Sequence, residues 1–421
     1  MNDVPTDLLD RVAATSLLDP AVQNDPFPFY ELLHQACPVY RMPETGFYVV
    51  TTYDDVRAVL RNPQTFSSDT RAIAALQGKS GALYQDLLEE GGGWRHVQTL
   101  QRTDPPEHTR SRSIVEKAFI TRRVRELASY VDALAHELID RWIDKGECEF
   151  VRDFSIPFPG SIVADLVGLD RADVPRFTEW ADCLLRPQVQ VLDEAGIRAT
   201  AATEIEMQKY MQSVFDARRA EPRDDLISAL VHTQPEVGAP LSGPELQNVV
   251  RQLITGGYET TASSIAHGMW ALLRFPEQQA KLREDRSLMK NFLEELVRYE
   301  APLQGHLRTT TQETVLNGVT IPAGAVIIVR WGAANRDASR FACPHAFDVE
   351  RDNAGAHLGY GSGVHFCPGA MLARQMMGSA FNALLDRLAS FELARPLPQP
   401  EHRPNLLLIP LKELPIKFTK A

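Results

Sequence analysis

The chain has 421 residues and a formal net charge of −11, with 44% apolar and 24% charged residues. That apolar share builds a sizeable core, and the acidic balance offers no domain-wide basic field to neutralise nucleic-acid phosphates. Its five cysteines (Cys37, Cys148, Cys183, Cys343 and Cys367) stand far apart with no C-x-x-C, so a disulfide framework or structural zinc is not expected and a reducing compartment fits.

The first ten residues carry three acids, and no stretch approaches the roughly 20 apolar residues that cross a bilayer, so a cytoplasmic protein without a membrane anchor is expected. Phe47–Thr51 reads as a strand, and the Gly- and Pro-rich stretches Gly78–Gly93 and Pro235–Gly243 read as loops. Apolar residues recur at three- and four-residue spacing over Val115–Asp144, Ala172–Leu185, Ala199–Arg219, Pro244–Phe275, Ser287–Glu300 and Pro368–Ala389, which predicts helices. Pro244 suits a first helical turn and Pro276 ends that helix. Thr314–Val329 reads as a hairpin about Asn317–Gly318 with a further apolar run, Val326–Val329; short apolar runs of the tail, Leu406–Phe418, are split by Pro410 and Pro415. No repeat or linker divides the chain, so a mainly α fold with a minor β region is expected, as one domain over residues 1–421.

Two segments point to chemistry. In Gly359-Tyr-Gly-Ser-Gly-Val-His-Phe-Cys-Pro-Gly369, the glycines at 359, 361, 363 and 369 permit positive φ and close approach to a flat object. Cys367 precedes a helix N-terminus, whose partial positive charge favours a thiolate. A thiolate beside a glycine-lined surface is what a haem iron requires on one axial side. The ordinary alternative is a buried free cysteine. In Gly256-Gly-Tyr-Glu-Thr-Thr261, two glycines inside a helix cost roughly 1 kcal/mol each against alanine. Close approach of a flat ligand would justify them, with a local widening that turns the Thr260 hydroxyl to the Gly256 carbonyl and leaves Glu259 and Thr260 as a proton-delivery pair; tight helix packing beside a solvated Glu is the other reading.

In their order these segments resemble the cytochrome P450 superfamily. Its cysteine signature, Phe-x-x-Gly-x-His-x-Cys-x-Gly, is matched at Gly363, His365, Cys367 and Gly369, with Tyr360 in place of Phe and Pro368 where many members carry Leu. Its distal-helix pattern, Ala/Gly-Gly-x-Asp/Glu-Thr, is matched at Gly256, Gly257, Glu259 and Thr260. Glu295-Leu-Val-Arg298 resembles the family's structural Glu-x-x-Arg, tied to a downstream arginine, although the same spacing recurs at Glu107–Arg110.

The resemblance implies the family's fold, with haem b held by Cys367 and packed against Gly256, Gly257, Gly363 and Gly369. It implies His108, Arg112, Arg308 and His365 on the propionates and Thr260 with Glu259 as catalytic residues. The reaction implied inserts one atom of O₂ into an apolar substrate. Electrons are expected from NAD(P)H through a separate ferredoxin or flavodoxin with its reductase, because the chain has no flavin or nicotinamide fingerprint. Arg110, Arg122, Arg123 and Arg374 are candidates for a basic docking face, and a monomer is expected. By position the pocket takes in the 71–100 loop, Leu184–Val191, Leu253, Gly257, Leu303–Leu307 and Leu406–Leu408, with Gln304 and His306 as polar anchors and Leu407 on its wall. Those residues suit a medium-sized, terpenoid- or steroid-like molecule. A peroxide-driven haem-thiolate oxygenase and a non-catalytic haem-binding or sensor protein are the competing readings.

Overall fold

A computed structural model of the chain describes residues 5–69, 78–118, 126–169, 173–189, 192–235, 238–403 and 405–421. It divides into two compact units, Met1–Phe66 with Ala128–Phe158 and Thr260–Ala421, and Ser67–Leu127 with Pro159–Glu259.

The first unit carries the strands. We number them β1 (Val39–Arg41), β2 (Tyr48–Val50), β3 (Phe66–Ser67, at the unit's edge), β4 (Glu147–Glu149), β5 (His306–Thr310), β6 (Thr314–Leu316), β7 (Val319–Ile321), β8 (Val326–Val329), β9 (Leu388–Leu393) and β10 (Pro415–Lys420). They form a five-stranded sheet of order β1-β2-β8-β5-β3, a three-stranded sheet β4-β10-β9 and the pair β6-β7. β8, Val-Ile-Ile-Val, is buried at every position, as an interior strand covered on both faces must be. It pairs parallel with β2 and antiparallel with β5, where Arg308 faces Ile327. Helix Ala370–Arg387 packs on Ala128–Asp140 and Met289–Tyr299. Phe292 meets Phe381 edge-on, ring centroids 4.9 Å apart. An added Cβ at Gly268 would fall 2.2 Å from the Phe381 ring, so a glycine lets the long helix Gly243–Arg274 pass this point.

The second unit is helical. Glu194–Ala220, capped where the Asp193 side chain accepts from the Gly196 amide (2.8 Å), packs on Gly78–Glu90, Val174–Val189 and Leu226–His232. Glu107–Ala118 and the first part of Gly243–Arg274 complete it.

Three expectations are corrected. Gly78–Gly93 is not a loop: Gly78–Glu90 is a helix, and Gly91–Gly93 is its C-terminal cap, with Gly92 at φ +76 and the Gly93 amide donating to Leu88 O (2.8 Å). Val115–Asp144 is not one helix: Leu127 is a turn residue ahead of Ala128–Asp140, which ends before a separate short turn at Ile143–Lys145, and 119–125 lie outside the described residues. Val326–Val329 does not extend the β6–β7 hairpin; its continuous apolar run places it inside the five-stranded sheet.

Candidate active site

The cysteine turn lies in the first unit. Gly361 and Gly363 stand at φ +75 and +72, where a side chain would strain the backbone. Gly359 and Gly369 do not: Gly359 is needed for space, since a Cβ there would fall 2.5 Å from Val297 Cγ1, and Gly369 has φ −87. The amides of Gly361, Phe366 and Cys367 donate to Leu358 O (2.8 Å), Gly363 O (3.1 Å) and Tyr360 O (2.9 Å) and lock the turn. Cys367 is half-buried three residues before helix Ala370–Arg387, and Pro368 offers no amide beside it. Three large apolar side chains are left open around it: Val364, Phe366 and Met371, 40%, 43% and 41% exposed. A half-buried cysteine just ahead of a helix N-terminus, on a turn framed by glycines, fits a flat, thiolate-ligated porphyrin.

Behind the turn runs a charged network. The Arg374 guanidinium lies over the Tyr360 ring, 4.3 Å from its centroid, and pairs with Glu294 at 2.5 Å (Nε) and 2.9 Å (Nη2). His357 Nε2 lies 3.1 Å from Oε2 of that carboxylate, the oxygen that Arg374 Nη2 also reaches. Burial pushes the Glu294 carboxyl up, but hydrogen bonds from His357 and Arg374 outweigh it and hold it at about 2.

Glu295 and Arg298 are wholly buried. Glu295 Oε2 and Oε1 accept from Arg298 Nε (2.6 Å) and Nη2 (2.7 Å), and Arg351 Nε donates to the same carboxylate at 3.1 Å. Further guanidinium hydrogens go to the carbonyls of Asn335, Pro344 and Ala346 from Arg298, and of Ala342, Cys343 and Ala346 from Arg351. The second Glu-x-x-Arg differs: Arg110 turns away from Glu107 to bond Glu245.

The long helix carries Leu253, Gly256, Gly257, Glu259 and Thr260. Gly256 is exposed, with nothing within 4 Å of an added Cβ, whereas a Cβ at Gly257 would press on Val163 Cγ2 (3.2 Å). Leu253, Glu259 and Thr260 are half-buried. The expected widening is corrected: the segment is α-helical throughout Gly243–Arg274. Of the propionate candidates, His108 is buried and Arg112 Nε pairs with Glu116 at 2.7 Å in the second unit. In the first, Arg308 is buried on β5 with Nη1 donating to Leu307 O (2.8 Å), and His365 is half-buried in the cysteine turn.

For the pocket, Gln304 is buried, its Nε2 donating to Ala301 O (2.5 Å) and its amide to Leu407 O (2.6 Å). His306 Nδ1 accepts from the Leu307 amide at 2.9 Å. Residues 70–77 and 190–191, and the side chains of 185–189, lie outside the description. Of the basic-face candidates, Arg110 and Arg374 are ion-paired with Glu245 and Glu294, and Arg122 and Arg123 lie outside the described residues.

Sequence reasoning missed a polar centre in the second unit. Buried Glu204 accepts from the Tyr84 hydroxyl, from His96 Nε2 (2.7 Å) and from Gln208 Nε2 (3.4 Å), with Arg251 Nε at 3.4 Å. Its members are scattered from residue 84 to residue 251, and no spacing rule links them.

The cytochrome P450 family model matches residues 164–419. The chain is 36% identical over 404 residues to the cytochrome P450 monooxygenase PikC of Streptomyces venezuelae, covering 94% of this chain and 92% of that protein. It is 33% identical over 391 residues to the 6-deoxyerythronolide B hydroxylase of Saccharopolyspora erythraea (92% and 95%). Among solved structures, cytochrome P450 CREJ in complex with (4-ethylphenyl) dihydrogen phosphate matches with TM-score 0.88 at 28% identity, over 97% of this chain and all of that one. No helix among the described residues is long and apolar enough to cross a membrane. With a glycine-framed cysteine before a helix, a glycine-opened long helix and these relatives, the chain belongs to the cytochrome P450 family and is a haem-dependent monooxygenase.

Proposed function

We propose that residues 1–421 form a single monooxygenase domain in which Cys367 is the iron ligand and Thr260 and Glu259 deliver protons. The observation that carries this is the cysteine turn, where two left-handed glycines precede a half-buried cysteine and a proline ahead of an 18-residue helix. Bound haem b supplies O₂ activation and insertion of one oxygen atom. The reaction takes up two protons, and Glu259, half-buried beside Thr260, draws them from water and passes them to the threonine hydroxyl. Glu295 and Arg298 are structural. His108, Arg112, Arg308 and His365 neutralise the propionates, whose burial needs cations or strong donors. Gly256, Gly257, Gly363 and Gly369 keep side chains off the porphyrin.

The substrate is a medium-sized molecule with an apolar body, of terpenoid or steroid dimensions, meeting Leu253, Gly257, Gln304 and Leu407. Reducing equivalents pass from NAD(P)H through a separate ferredoxin or flavodoxin and its reductase, and the enzyme works as a cytoplasmic monomer.

The test is the absorption spectrum of the reduced, carbon-monoxide-bound protein, with Cys367→Ser beside it. The natural chain gives the strongly red-shifted Soret band of a thiolate-ligated haem, and the variant loses it; an unchanged band in the variant overturns the ligand assignment. Thr260→Ala is expected to keep that band while NADH consumption continues without matching product. Tight coupling in the variant overturns the proton-delivery role.

A further inference from the structure

The stretch that carries Leu407 has little regular backbone pairing to hold it. Residues 405–408 belong to no helix or strand, and Leu408 makes an isolated bridge to Leu303. Two side chains and one amide fix the rest. Asn405 Oδ1 accepts from the amides of Leu407 (2.8 Å) and Leu408 (3.1 Å). The Gln304 amide donates to Leu407 O (2.6 Å), and Arg330 Nη1 donates to Leu406 O (2.5 Å). Gly332 ties in the same frame: its amide donates to Gln304 O (3.0 Å), and a Cβ there would fall 2.0 Å from Gln304 Oε1.

Arg330 is placed by β8. Its amide donates to Val50 O (2.9 Å), continuing the pairing with β2, and by strand alternation it shares a face with Ile328. Ile328 packs in an apolar cluster with Tyr30 and the partly buried Leu406. Arg330 is 1% exposed there, and among the described residues no carboxylate pairs with it. Its Nε makes no hydrogen bond within the chain, and the same holds for Gln304 Oε1 and Asn405 Nδ2. Each of the three side chains around this turn thus leaves a buried polar atom unmatched. A buried guanidinium without a carboxylate costs stability, and an apolar side chain of similar volume would serve folding at least as well. What an apolar side chain cannot supply is a donor to the Leu406 carbonyl.

We propose that Arg330 is a positioning residue for substrate, which holds Leu406 so that Leu407 stands against the bound molecule. The inference rests on the reading of Leu407 as pocket wall given above. Arg330 acts through the turn and does not touch the substrate. A ligand large enough to reach Leu407 depends on this frame, and one that stops at the iron does not.

The test uses purified holoprotein whose carbon-monoxide band has first been verified. Two nitrogen ligands of the haem iron, imidazole and clotrimazole, are titrated and read by the red shift of the Soret band. Clotrimazole fills a pocket of steroid dimensions, and imidazole does not. Arg330→Met is expected to weaken clotrimazole about tenfold while imidazole stays within about twofold, and Arg330→Lys, which keeps a donor, retains most of the affinity. Should Arg330→Met take up no haem, Asn405→Ala, which releases the same turn, takes its place with the same expected loss and the same overturning results. Unchanged clotrimazole binding overturns the proposal, and so does equal weakening of both ligands, which marks a general loss of structure. Leu407→Ala is run in parallel. If Leu407→Ala weakens clotrimazole and Arg330→Met does not, only this inference fails. If Leu407→Ala leaves clotrimazole unchanged, the pocket-wall reading fails and takes this inference with it.

Discussion

At Gly363 an added Cβ would come within 2.7 Å of the Leu60 carbonyl oxygen and 3.3 Å of Arg61 Cα, both backbone atoms that have little room to give, and φ is +72. Gly363→Ala is expected to lose about 1–2 kcal/mol from the left-handed conformation alone, and more from the contact. Lower urea midpoints and a reduced haem-to-protein absorbance ratio would report it; alanine tolerated on both measures would mean that the turn rearranges freely. Two residues before the next glycine, at Cys367, the neighbouring proline has a different consequence. An amide that donates to a ligating sulfur withdraws electron density and raises the metal's potential. Pro368 has none, so Pro368→Leu is expected to raise the ferric/ferrous potential in a dye-mediated reductive titration. An unchanged or lower potential would show that the proline leaves the sulfur's electronics alone.

The Glu295–Arg298–Arg351 network, whose three charged side chains are buried, joins helix Met289–Tyr299 to a segment around fifty residues downstream through the Glu295 carboxylate and backbone carbonyls. Removing one member strands the others: Glu295→Ala should cost about 3–5 kcal/mol. The exposed i,i+4 pair Glu194–Arg198, at a similar 2.8 Å, should cost only a few tenths when Glu194 is replaced. Chemical denaturation of both variants compares them, and equal losses would remove burial as the cause. The same contrast explains what could be read from sequence. The cysteine turn and the Gly-Gly-x-Glu-Thr segment are local, since their chemistry is set by residues a few positions apart, and both were visible as patterns. Helix Gly78–Glu90 was masked by glycines that turn out to cap it. The Arg351 partner of Glu295 was expected only through the family resemblance, as a downstream arginine, and the Glu204 centre was hidden altogether. Tertiary packing brings those charges together, and a period or spacing carries no trace of them.

For the folded chain as a whole, acid is expected to act through a histidine pair. His267, on the long helix and 1% exposed, has its Nε2 3.1 Å from Nε2 of His402, whose Nδ1 lies 2.7 Å from Asn24 O. The other charged group that reaches the pair is Asp25, which favours the protonated form of His402. Burial, then the His402 charge, hold His267 well below 6.5, and burial also lowers His402. Both histidines are therefore neutral in the folded chain at neutral pH. Unfolded, each takes up a proton near pH 6.5. The unfolded state thus binds more protons below that value, and stability present above about pH 6.5 is lost as the pH falls, at up to roughly 1.4 kcal/mol per pH unit for each histidine. His96, half-buried and lowered by desolvation, adds to the slope in the second unit. Urea unfolding of the natural chain and of His267→Gln, on either side of about pH 6.5, separates the contributions. The glutamine cannot titrate, so its loss of stability on acidification should be visibly smaller while that from His96 persists. Parallel pH dependences in the two proteins would mean that the pair titrates alike in both states, and that the acid sensitivity of the fold lies elsewhere.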